Sequence, residues 1–330
     1  MTIDIERRQE PGDWDDVVDQ STTSTPFHRA DVLETIAEYS DATAHWYVGY
    51  KGQEPVGVFP IFELQKGPIS TAFSPPPDLK ITYLGPATCN AEKLSQRKRE
   101  RRNRRFVEGC LDDLEDVVAP KFVNVRTSPR LGDPRPFIWN DYDTTPRYTY
   151  VVDLERDPED LLMAFSSDAR KNVRTDVPHE CYAADPETSA EIVRRIQRRH
   201  AEQDVDFGVP PAFVEALHER VPDDAFRTYV CEYEGSLVGG LVVLSDDDAA
   251  YRWLSWADHD ADLPAADLLD WRAMEDAIAA GCSAYDLVGA NDPRLSRFKA
   301  KFAPELRGYH ALQYGTRGMT TAAGLYDKIR

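Results

Sequence analysis

Lysine is scarce in this sequence, although charged residues are not. Only 10 of the 330 residues are lysines, and the 39 Lys and Arg residues together face 58 Asp and Glu residues, which gives a net charge of −19 at pH 7. A carboxylate-rich, lysine-poor surface is typical of proteins that stay hydrated in concentrated salt, where a Debye length of about 3 Å at 1 M screens self-repulsion. We therefore expect a salt-adapted, halophilic protein, with an ordinary acidic protein as the alternative. The charge indicates the solvent rather than a particular partner.

The sequence also lacks a regular cysteine spacing. Its five cysteines are an odd number, lie far apart and form no C-x-x-C motif, so the spacing does not predict a disulfide framework. Each lies in or beside an apolar run, which favours buried free thiols in a reducing cytoplasm. The residues are Cys89, Cys110, Cys181, Cys231 and Cys282.

Long apolar runs and paired histidines are missing as well. No stretch reaches the roughly 18 apolar residues that a membrane-spanning helix needs, and the polar, acidic first residues are not typical of a secretory signal. The 7 histidines form no H-x-x-x-H pattern, and no Ser-His-Asp arrangement is indicated, so we predict neither a metal site nor a nucleophilic triad. We expect a cytoplasmic protein without a transmembrane segment.

What the sequence does contain is enough apolar surface for two packed domains. Hydrophobic residues make up 42% of its 330 residues, and this length exceeds one small core. A Pro- and Gly-containing loop at residues 129–146 separates two halves, so we expect domains at residues 1–145 and 146–330. Each half has a predicted hairpin, with turns at Lys51–Gly52 and Glu234–Gly235, and a later helix and strand. This order predicts a mixed α/β fold and favours an internal duplication.

Three short patches resemble a known family. "YDLVGANDPRLSRFKAKFAPEL" at residues 285–306 is similar to the C-terminal signature of FemAB-like transferases, in which a strand ends in Tyr-Asp and Phe-Lys-x-x-Phe follows. "FSSDARKNVRTD" at residues 165–176 resembles that family's arginine-bearing helix, and "STPFHRADVLETIAE" at residues 24–38 resembles its N-terminal opening. The order of strands and helices in the second half also resembles the GNAT acyltransferase fold.

The resemblance implies two GNAT-like domains in tandem, with a cleft between them and a site formed mainly by the second. It implies an N-acyltransferase or aminoacyltransferase that acts on an amine, with acyl-CoA and aminoacyl-tRNA both open as donors and no cofactor firmly implied. In the family, the lysine that matches Lys299 lies at the acyl-transfer centre. The arginines that match Arg170 and Arg174 hold a phosphate-bearing substrate. The family's glycine after the second phenylalanine is Ala303 here.

Lys299 is the leading catalytic candidate, because acyl transfer to an amine passes through a tetrahedral oxyanion that a fixed cation stabilises. The alternative, from spacing alone, is that Leu295, Phe298 and Phe302 form a helical core stripe while the neighbouring lysines are solvated. We expect Lys301 to lie on the surface. We count Phe298 among the substrate-binding residues.

Five further residues are candidates on other grounds. Arg170 and Arg174 are four residues apart, so one helix face carries both guanidinium groups in a spacing that suits phosphate; solvent-facing arginines are the alternative. Asp286 ends a strand, where it orients the catalytic lysine or an incoming amine, or caps the next helix. Tyr251 and Trp253 share one face of a strand, which lines the cleft or packs in the sheet core.

Two further features concern the donor. Typical acetyl-CoA GNAT enzymes carry a glycine-rich loop whose amides hold the pyrophosphate, but residues 257–271 are "ADHDADLPAADLLDW", which disfavours a standard CoA site. The basic run "RKRERRNRR" suits contact with tRNA phosphates through Arg97, Arg101 and Arg104, or is a charged helix face balanced by later carboxylates. The rival hypotheses are a non-catalytic RNA-binding protein and an interaction scaffold built on a degenerate GNAT pair.

Overall fold

The computed structural model describes residues 2–90 and 94–315. These residues divide into two compact units, one made of residues 2–147 and 308–315 and the other of residues 148–307. The expected division placed every residue after 145 in the second domain. Residues 308–315 instead belong to the first unit, because that segment pairs with a strand of the first unit. Within the described part of the chain, no helix is long and apolar enough to cross a bilayer.

Strands and helices follow one another along the whole described chain. Up to residue 142 the elements are β1 (Asp4–Arg8), α1 (Trp14–Val18), α2 (Ala30–Ser40), β2 (Thr43–Lys51), β3 (Glu54–Lys66), β4 (Ile69–Ser74), β5 (Ala87–Thr88), α3 (Gln96–Val117), β6 (Phe122–Arg126) and α4 (Arg135–Ile138). From residue 143 they are β7 (Asp143–Asp153), α5 (Pro158–Ala164), α6 (Ser167–Val173), β8 (Glu180–Ala183), α7 (Pro186–Ala201), α8 (Pro211–Arg220), β9 (Phe226–Tyr233), β10 (Ser236–Ser245), β11 (Ala249–Ala257), α9 (Ala265–Ala279), β12 (Ala284–Asp286), α10 (Pro293–Lys299) and β13 (Glu305–Gly315). Single turns of 3-10 helix lie at Pro26–His28 and Ala300–Phe302.

The two units share one pattern of strand pairing. The first unit has the order β1-β2-β3-β4-β6-β13, and the second has the order β8-β9-β10-β11-β12-β7. In each order the pairs are antiparallel three times, then parallel, then antiparallel. The mixed α/β fold is therefore confirmed, and the pairing pattern repeats as an internal duplication would require.

In the second unit, β11 extends well beyond its parallel neighbour. The pairing with β12 involves Ala249, Ala250 and Tyr251 and reaches Asp286, the last residue of β12. Strand β11 continues to Ala257, so among the described strands its second half has no parallel partner on that side. This leaves a gap beside the second half of β11, beyond the C-terminal end of β12.

The first unit fills the equivalent place with its own chain. Strand β4 pairs with β6 as far as Ser74, and further along the chain Leu84 lies against the end of β6. The amide of Leu84 donates to the carbonyl oxygen of Arg126 over 2.9 Å, and the Leu84 side chain is fully buried. The sequence predicted a strand here, but the structure has an isolated bridge between Leu84 and Thr127. The segment closes the gap instead of extending the sheet.

Two glycines allow helices to approach both faces of β10. A Cβ atom added at Gly240 would lie 2.0 Å from Cδ1 of Ile192 in α7, and one added at Gly239 would lie 2.9 Å from Cβ of Ala265 in α9. The absence of side chains at these positions thus sets the distance of α7 and α9 from the sheet. Two adjacent glycines within a strand predict a β-bulge. The bulge lies just before them, since the register with β9 shifts between Leu237 and Gly239.

The sequence "DPEDLLMAFSSDARKNVRTD" at residues 157–176 begins with Asp-Pro and predicts one helix, but the structure has two helices there, α5 and α6. Phe165 ends α5 in an extended conformation with ψ 159°, and its ring packs edge-on against Phe302 at a centroid distance of 5.2 Å. Ser166 then caps α6 by accepting a hydrogen bond from the amide of Ala169. The Ser166 amide itself donates to the carbonyl oxygen of Lys301 over 2.8 Å. Packing and the new cap therefore override the continuous helical pattern.

Ala303, which replaces the family's glycine, has a left-handed backbone with φ 52° and ψ 43°. A residue with a Cβ atom is strained in this region by about 1–2 kcal/mol, whereas glycine is not. Replacing Ala303→Gly should therefore raise the free energy of unfolding by about 1 kcal/mol. Chemical denaturation in molar salt measures this change.

Ala300→Gly is the matched control, because Ala300 has a helical φ of −61° and both alanines are exposed. Glycine in a helical position costs about 1 kcal/mol relative to alanine. The control should therefore lower the free energy of unfolding. Destabilisation by both substitutions would contradict the strain at Ala303.

Candidate functional site

A cavity of about 550 Å³ lies within the second unit, lined by the second half of β11 together with residues of α7, α9 and α10. Its described lining carries four strong cations, Arg199, Arg252, Arg294 and Lys299, and one carboxylate, Asp292. This local excess of positive charge contrasts with a net charge of −19 for the whole chain. The cavity therefore attracts ligands that carry negative charge.

Lys299 ends α10 and lines this cavity with only 5% of its surface exposed. Its Nζ donates to the carbonyl oxygens of Val288 at 2.7 Å and Gly289 at 2.9 Å. Burial first, and then the nearby Arg252 guanidinium, lower the pKa of Lys299 to about 8. Because this pKa lies close to neutral pH, the group can stabilise negative charge as an ammonium and can also give up its proton.

The turn after β12 presents both carbonyl groups to Lys299. Val288 and Gly289 have left-handed backbones, with φ 50° and 86°, and for a β-branched residue this conformation is strained. The buried Asp286 carboxylate accepts hydrogen bonds from the Val288 amide at 2.7 Å and from Thr149 Oγ1 at 2.6 Å. Thr149 Oγ1 accepts the Gly289 amide at 2.9 Å. Asp286 and Thr149 thus hold the turn whose carbonyls bind the lysine.

Helix α10 is capped by Asp292, which also lines the cavity. Its carboxylate accepts the amides of Arg294 at 2.8 Å and Leu295 at 3.0 Å, and these bonds lower the pKa of Asp292. The helix-cap alternative for Asp286 is therefore wrong. The cap places a carboxylate at the start of the helix that carries Lys299 at its end.

Arg252 is a cavity residue that the sequence did not single out. Its side chain is 11% exposed, and its Nε donates to Oδ1 of the fully buried Asp270 at 2.7 Å. The hydroxyl of Tyr285 donates to the same carboxylate oxygen at 3.0 Å. The signal available in the sequence was a single arginine within the apolar strand "AAYRWLSWA". Arg252 raises the positive charge near Lys299, while Asp270 fixes its position.

Phe298 lies between two cations at the cavity wall. The Arg252 guanidinium is 5.6 Å from its ring centroid, and Lys301 Nζ is 3.9 Å from it, both within cation–π distance. Lys301 also forms an ion pair with Asp267 over 2.6 Å and is 13% exposed, so the prediction that it lies on the surface is wrong. Phe302 is fully buried in the core of the second unit, as the helical stripe predicted.

Tyr251 and Trp253 lie on the face of β11 that packs into the protein. Tyr251 is 2% exposed and Trp253 is 7% exposed, and Trp253 packs edge-on against Phe213 at 5.9 Å between centroids. The residues of β11 that line the cavity include Arg252 and Trp256. Neither Tyr251 nor Trp253 belongs to that lining, and a substrate contact for them stays a prediction.

Arg170 and Arg174 make contacts within α5 and α6, and neither is among the residues that line the cavity. Arg170 donates to the carbonyl oxygens of Met163 at 3.1 Å and of Phe165, which satisfies the end of α5. Arg174 forms an ion pair with Glu159 and is half exposed. These contacts account for both arginines structurally, and their binding of phosphate stays a prediction.

The start of α9 lies at the cavity, since Ala266 and Leu269 line it. Three of the first four amides of this helix donate hydrogen bonds within the chain. Those of Asp267 and Leu268 donate to the carbonyl oxygen of Pro264 at 3.0 and 3.2 Å, and that of Ala265 donates to Leu263 at 2.9 Å. Residues 257–271 contain no glycine-rich loop, whose amides would hold a pyrophosphate, and the absence of a standard CoA site stays a prediction.

The basic run lies on α3 in the first unit. Arg102 is buried, 6% exposed, and pairs with Glu54 at 3.3 Å, whereas Arg104 pairs with Glu108 on the same helix at 2.7 Å. Arg97 and Arg101 begin the exposed face of the helix. Part of the run is therefore a structural, internally balanced helix face, and its contact with tRNA stays a prediction.

Comparison with known families decides the fold type of the second unit. Residues 166–300 match the family model described as an acetyltransferase (GNAT) domain. The matched segment includes Arg252, Asp286 and Lys299, so the cavity and its buried lysine belong to it. No curated protein matches the sequence at a significant level.

Solved structures extend this likeness to the whole chain. The crystal structure of FemX has a TM-score of 0.70 at 11% identity, with 92% of this chain and 96% of that chain covered. L-PGS from Bacillus licheniformis has a TM-score of 0.59 at 12% identity, with 97% of each chain covered. A tandem GNAT protein from the clavulanic acid biosynthesis pathway has a TM-score of 0.51 at 12% identity, with 94% and 98% covered. The FemAB-like tandem GNAT fold is therefore confirmed.

Thr149→Val should destabilise the protein, because valine keeps the shape of threonine but removes the hydroxyl that joins Asp286 to Gly289. The partly buried Gly289 amide loses its acceptor and the buried Asp286 carboxylate loses a donor, and an unmet buried hydrogen bond costs about 1–3 kcal/mol. We expect a decrease of that size in the free energy of unfolding, measured by denaturant titration. The control Thr43→Val, at an exposed strand position, should change it by less than about 0.5 kcal/mol. Equal effects would mean that the Thr149 hydroxyl does not hold the turn.

Lys299 should titrate near pH 8, because burial disfavours its charged form. In protein with ¹³C-labelled lysine, the Cε resonance that disappears in Lys299→Arg should have a midpoint about 2 pH units below the ordinary lysine value of about 10.4. Since the folded-state pKa is the lower one, the unfolded chain binds more protons between the two values and folding stability rises with pH in that window. A midpoint above 10 would contradict the buried ammonium.

Proposed function

We propose that this protein is an N-acyltransferase or aminoacyltransferase that works in the cavity of the second unit. The observation that carries the proposal is the buried Lys299, held by two backbone carbonyls at the wall of a cation-rich cavity. A buried ammonium that donates to neutral carbonyl oxygens keeps more of its field for a substrate than one paired directly with a carboxylate. The GNAT domain of residues 166–300 and the FemX-like fold support group transfer to an amine.

In the proposed reaction, the lone pair of a neutral acceptor amine attacks the acyl carbonyl carbon. The new C–N bond gives a tetrahedral oxyanion, which the Lys299 ammonium stabilises with its remaining N–H. Collapse of this intermediate breaks the bond from carbon to the leaving sulfur or oxygen. An ammonium with a pKa of about 8 is well matched to protonate that leaving group. The proton released by the amine then restores Lys299, directly or through the substrate.

The charge of the cavity favours a substrate that carries phosphate or carboxylate groups. Arg199, Arg252 and Arg294 line the same cavity as the lysine, and their guanidinium groups suit the bidentate binding of oxyanions. Arg252 is the best fixed of the three, because the buried Asp270 carboxylate and the Phe298 ring hold it. We infer that these arginines, with or without the predicted Arg170 and Arg174, bind the anionic part of the donor or acceptor.

The engaged amides at the start of α9 bear on the choice of donor. Because the helix start lacks a glycine-rich loop, phosphates of acyl-CoA would have to be held by side chains instead of backbone amides. Aminoacyl-tRNA makes no such demand on the helix start and stays the second donor. The similar structures include the C-terminal domain of a putative lysylphosphatidylglycerol synthetase, which supports testing an aminoacyl donor alongside acyl-CoA.

A second candidate function is nucleic-acid binding by the first unit. A smaller cavity of about 280 Å³ there is lined by five basic residues, which suits phosphate contacts. The basic residues are Lys51, Lys98, Arg101, Arg102 and Arg105. This surface would serve a tRNA donor, or on its own an RNA-binding protein without catalysis. The two cases differ in whether RNA binding accompanies a Lys299-dependent reaction.

Lys299→Met should abolish most of the transfer activity while leaving ligand binding intact. Methionine keeps the unbranched apolar stem but removes the cation, and one oxyanion donor is worth about 10²–10³ in kcat. The assay follows labelled acyl groups from acyl-CoA or aminoacyl-tRNA to a panel of amines in molar salt. A thermal-shift titration with the same donors should give unchanged Kd values within about threefold.

Arg156→Ala is the matched control, because it removes a half-exposed cation of the same unit that does not line the cavity. It should leave kcat nearly unchanged, whereas Arg252→Met should raise KM for an anionic substrate. Wild-type protein that neither binds nor transfers from any donor, but binds RNA equally well with and without Lys299, would overturn the enzyme proposal in favour of RNA binding.

A further inference from the structure

Two cysteines that lie far apart in the sequence meet across neighbouring strands of the second unit. Cys181 is on the short strand β8 and Cys231 is on β9, where they are direct partners in the antiparallel register. Their sulfur atoms are 2.7 Å apart, and one thiol donates to the other. Both are free thiols in this structure. The expectation of buried free thiols is met by Cys231, whereas Cys181 is a free thiol that is only partly buried.

The register places the pair where a disulfide can form without moving the strands. The Ala184 amide donates to the carbonyl oxygen of Thr228 at 2.8 Å, so these two residues form a hydrogen-bonded pair. Hydrogen-bonded and non-hydrogen-bonded pairs alternate along an antiparallel ladder, which makes Cys181 and Cys231 a non-hydrogen-bonded pair. Such pairs have Cα atoms about 4.5 Å apart, inside the range of about 4.4–6.8 Å that disulfides require.

The two thiols differ in access, which sets the order of reaction. Cys231 is fully buried, whereas Cys181 is partly exposed on β8, the last strand in the order of its unit. The hydrogen bond shared with Cys231 lowers the pKa of Cys181, and the Arg272 guanidinium acts in the same direction. The same bond, together with burial, raises the pKa of Cys231. Cys181 is thus the thiol that an external reagent reaches and the one with more thiolate.

We propose that Cys181 and Cys231 form a reversible oxidation site that a small disulfide converts into a cross-strand disulfide. The Cys181 thiolate attacks one sulfur of the reagent, RSSR, and releases RS⁻, which leaves a mixed disulfide on Cys181. The Cys231 thiol loses its proton to the released thiolate and attacks the Cys181 sulfur, which expels the second RS⁻. Two electrons pass from the cysteine pair to the reagent, and two RSH molecules result.

The bond would fasten an edge strand that has few other connections. Strand β8 has four residues, paired with β9 alone among the described strands. Its upstream connection comes from α6, and the chain between the two cysteines contains α7 and α8. A disulfide here closes a loop of 50 residues, which restricts the unfolded chain strongly. The inference does not depend on the proposed transferase activity, because it uses only the geometry of β8 and β9.

The test uses the full chain, equilibrated in glutathione buffers from fully reduced to fully oxidised. Thiols counted in denaturant should fall from five to three, and peptide mass spectrometry should find Cys181 linked to Cys231. The Tm of the oxidised protein should be higher by roughly 5 °C or more, and dithiothreitol should reverse both changes. Five thiols in the most oxidising buffer, or a linkage between other cysteines, would overturn the proposal.

Single variants separate the two steps. Cys231→Ser should stop the reaction at a glutathione adduct on Cys181, and Cys181→Ser should give neither adduct nor disulfide at Cys231. Cys282→Ser is the matched control, since Cys282 is also nearly buried, and it should still lose two thiols on oxidation. If the oxidised Cys181→Ser protein shows the same rise in Tm as the wild type, the disulfide is not its cause and the proposal fails.

Discussion

The second unit is organised around one constraint, which is the burial of the Lys299 ammonium beside a cavity. A buried cation is costly unless polar groups replace its water, and here two backbone carbonyls do so. Those carbonyls point at the lysine because Val288 and Gly289 have left-handed backbones, and Asp286 holds that turn. Because the acceptors are neutral, the lysine keeps its positive field, while desolvation lowers its pKa. A carboxylate partner would have cancelled the field and raised the pKa.

The other charges near the cavity follow from the same constraint. Arg252 is paired with a fully buried carboxylate, Asp270, and Lys301 is paired with Asp267, so two further cations are accommodated by strong local counter-charges. These pairs hold both cations within cation–π distance of the Phe298 ring. Lys299 differs from them, because it donates to two neutral carbonyl oxygens. An acidic protein thus concentrates positive charge at one cavity, where it directs anionic ligands over a distance that salt shortens.

The two units share one pattern of strand pairing but differ in what lies at the end of the parallel strand pair. In both, the parallel pairing covers only three residue pairs. In the first unit the fully buried Leu84 lies against the end of β6. The second unit leaves the corresponding edge of β11 to line a cavity. A duplicated fold therefore carries a packed, structural version and an open version of the same sheet, which explains why the candidate chemistry lies in the second unit.

The local sequence determined much of the secondary structure of this protein. The hairpin turns, the alternating strands and the helices α2, α7 and α9 follow from turn residues and apolar periodicity, which act over a few residues. The Phe-Lys-x-x-Phe patch, through its resemblance to FemAB-like transferases, indicated Lys299 as the catalytic candidate. Tertiary structure alone decided which partners the side chains meet. The counter-charge of Arg252 is 18 residues away, and Cys181 meets a cysteine 50 residues away. Such contacts depend on strand register and helix packing, which bring distant residues together and leave no mark in local spacing.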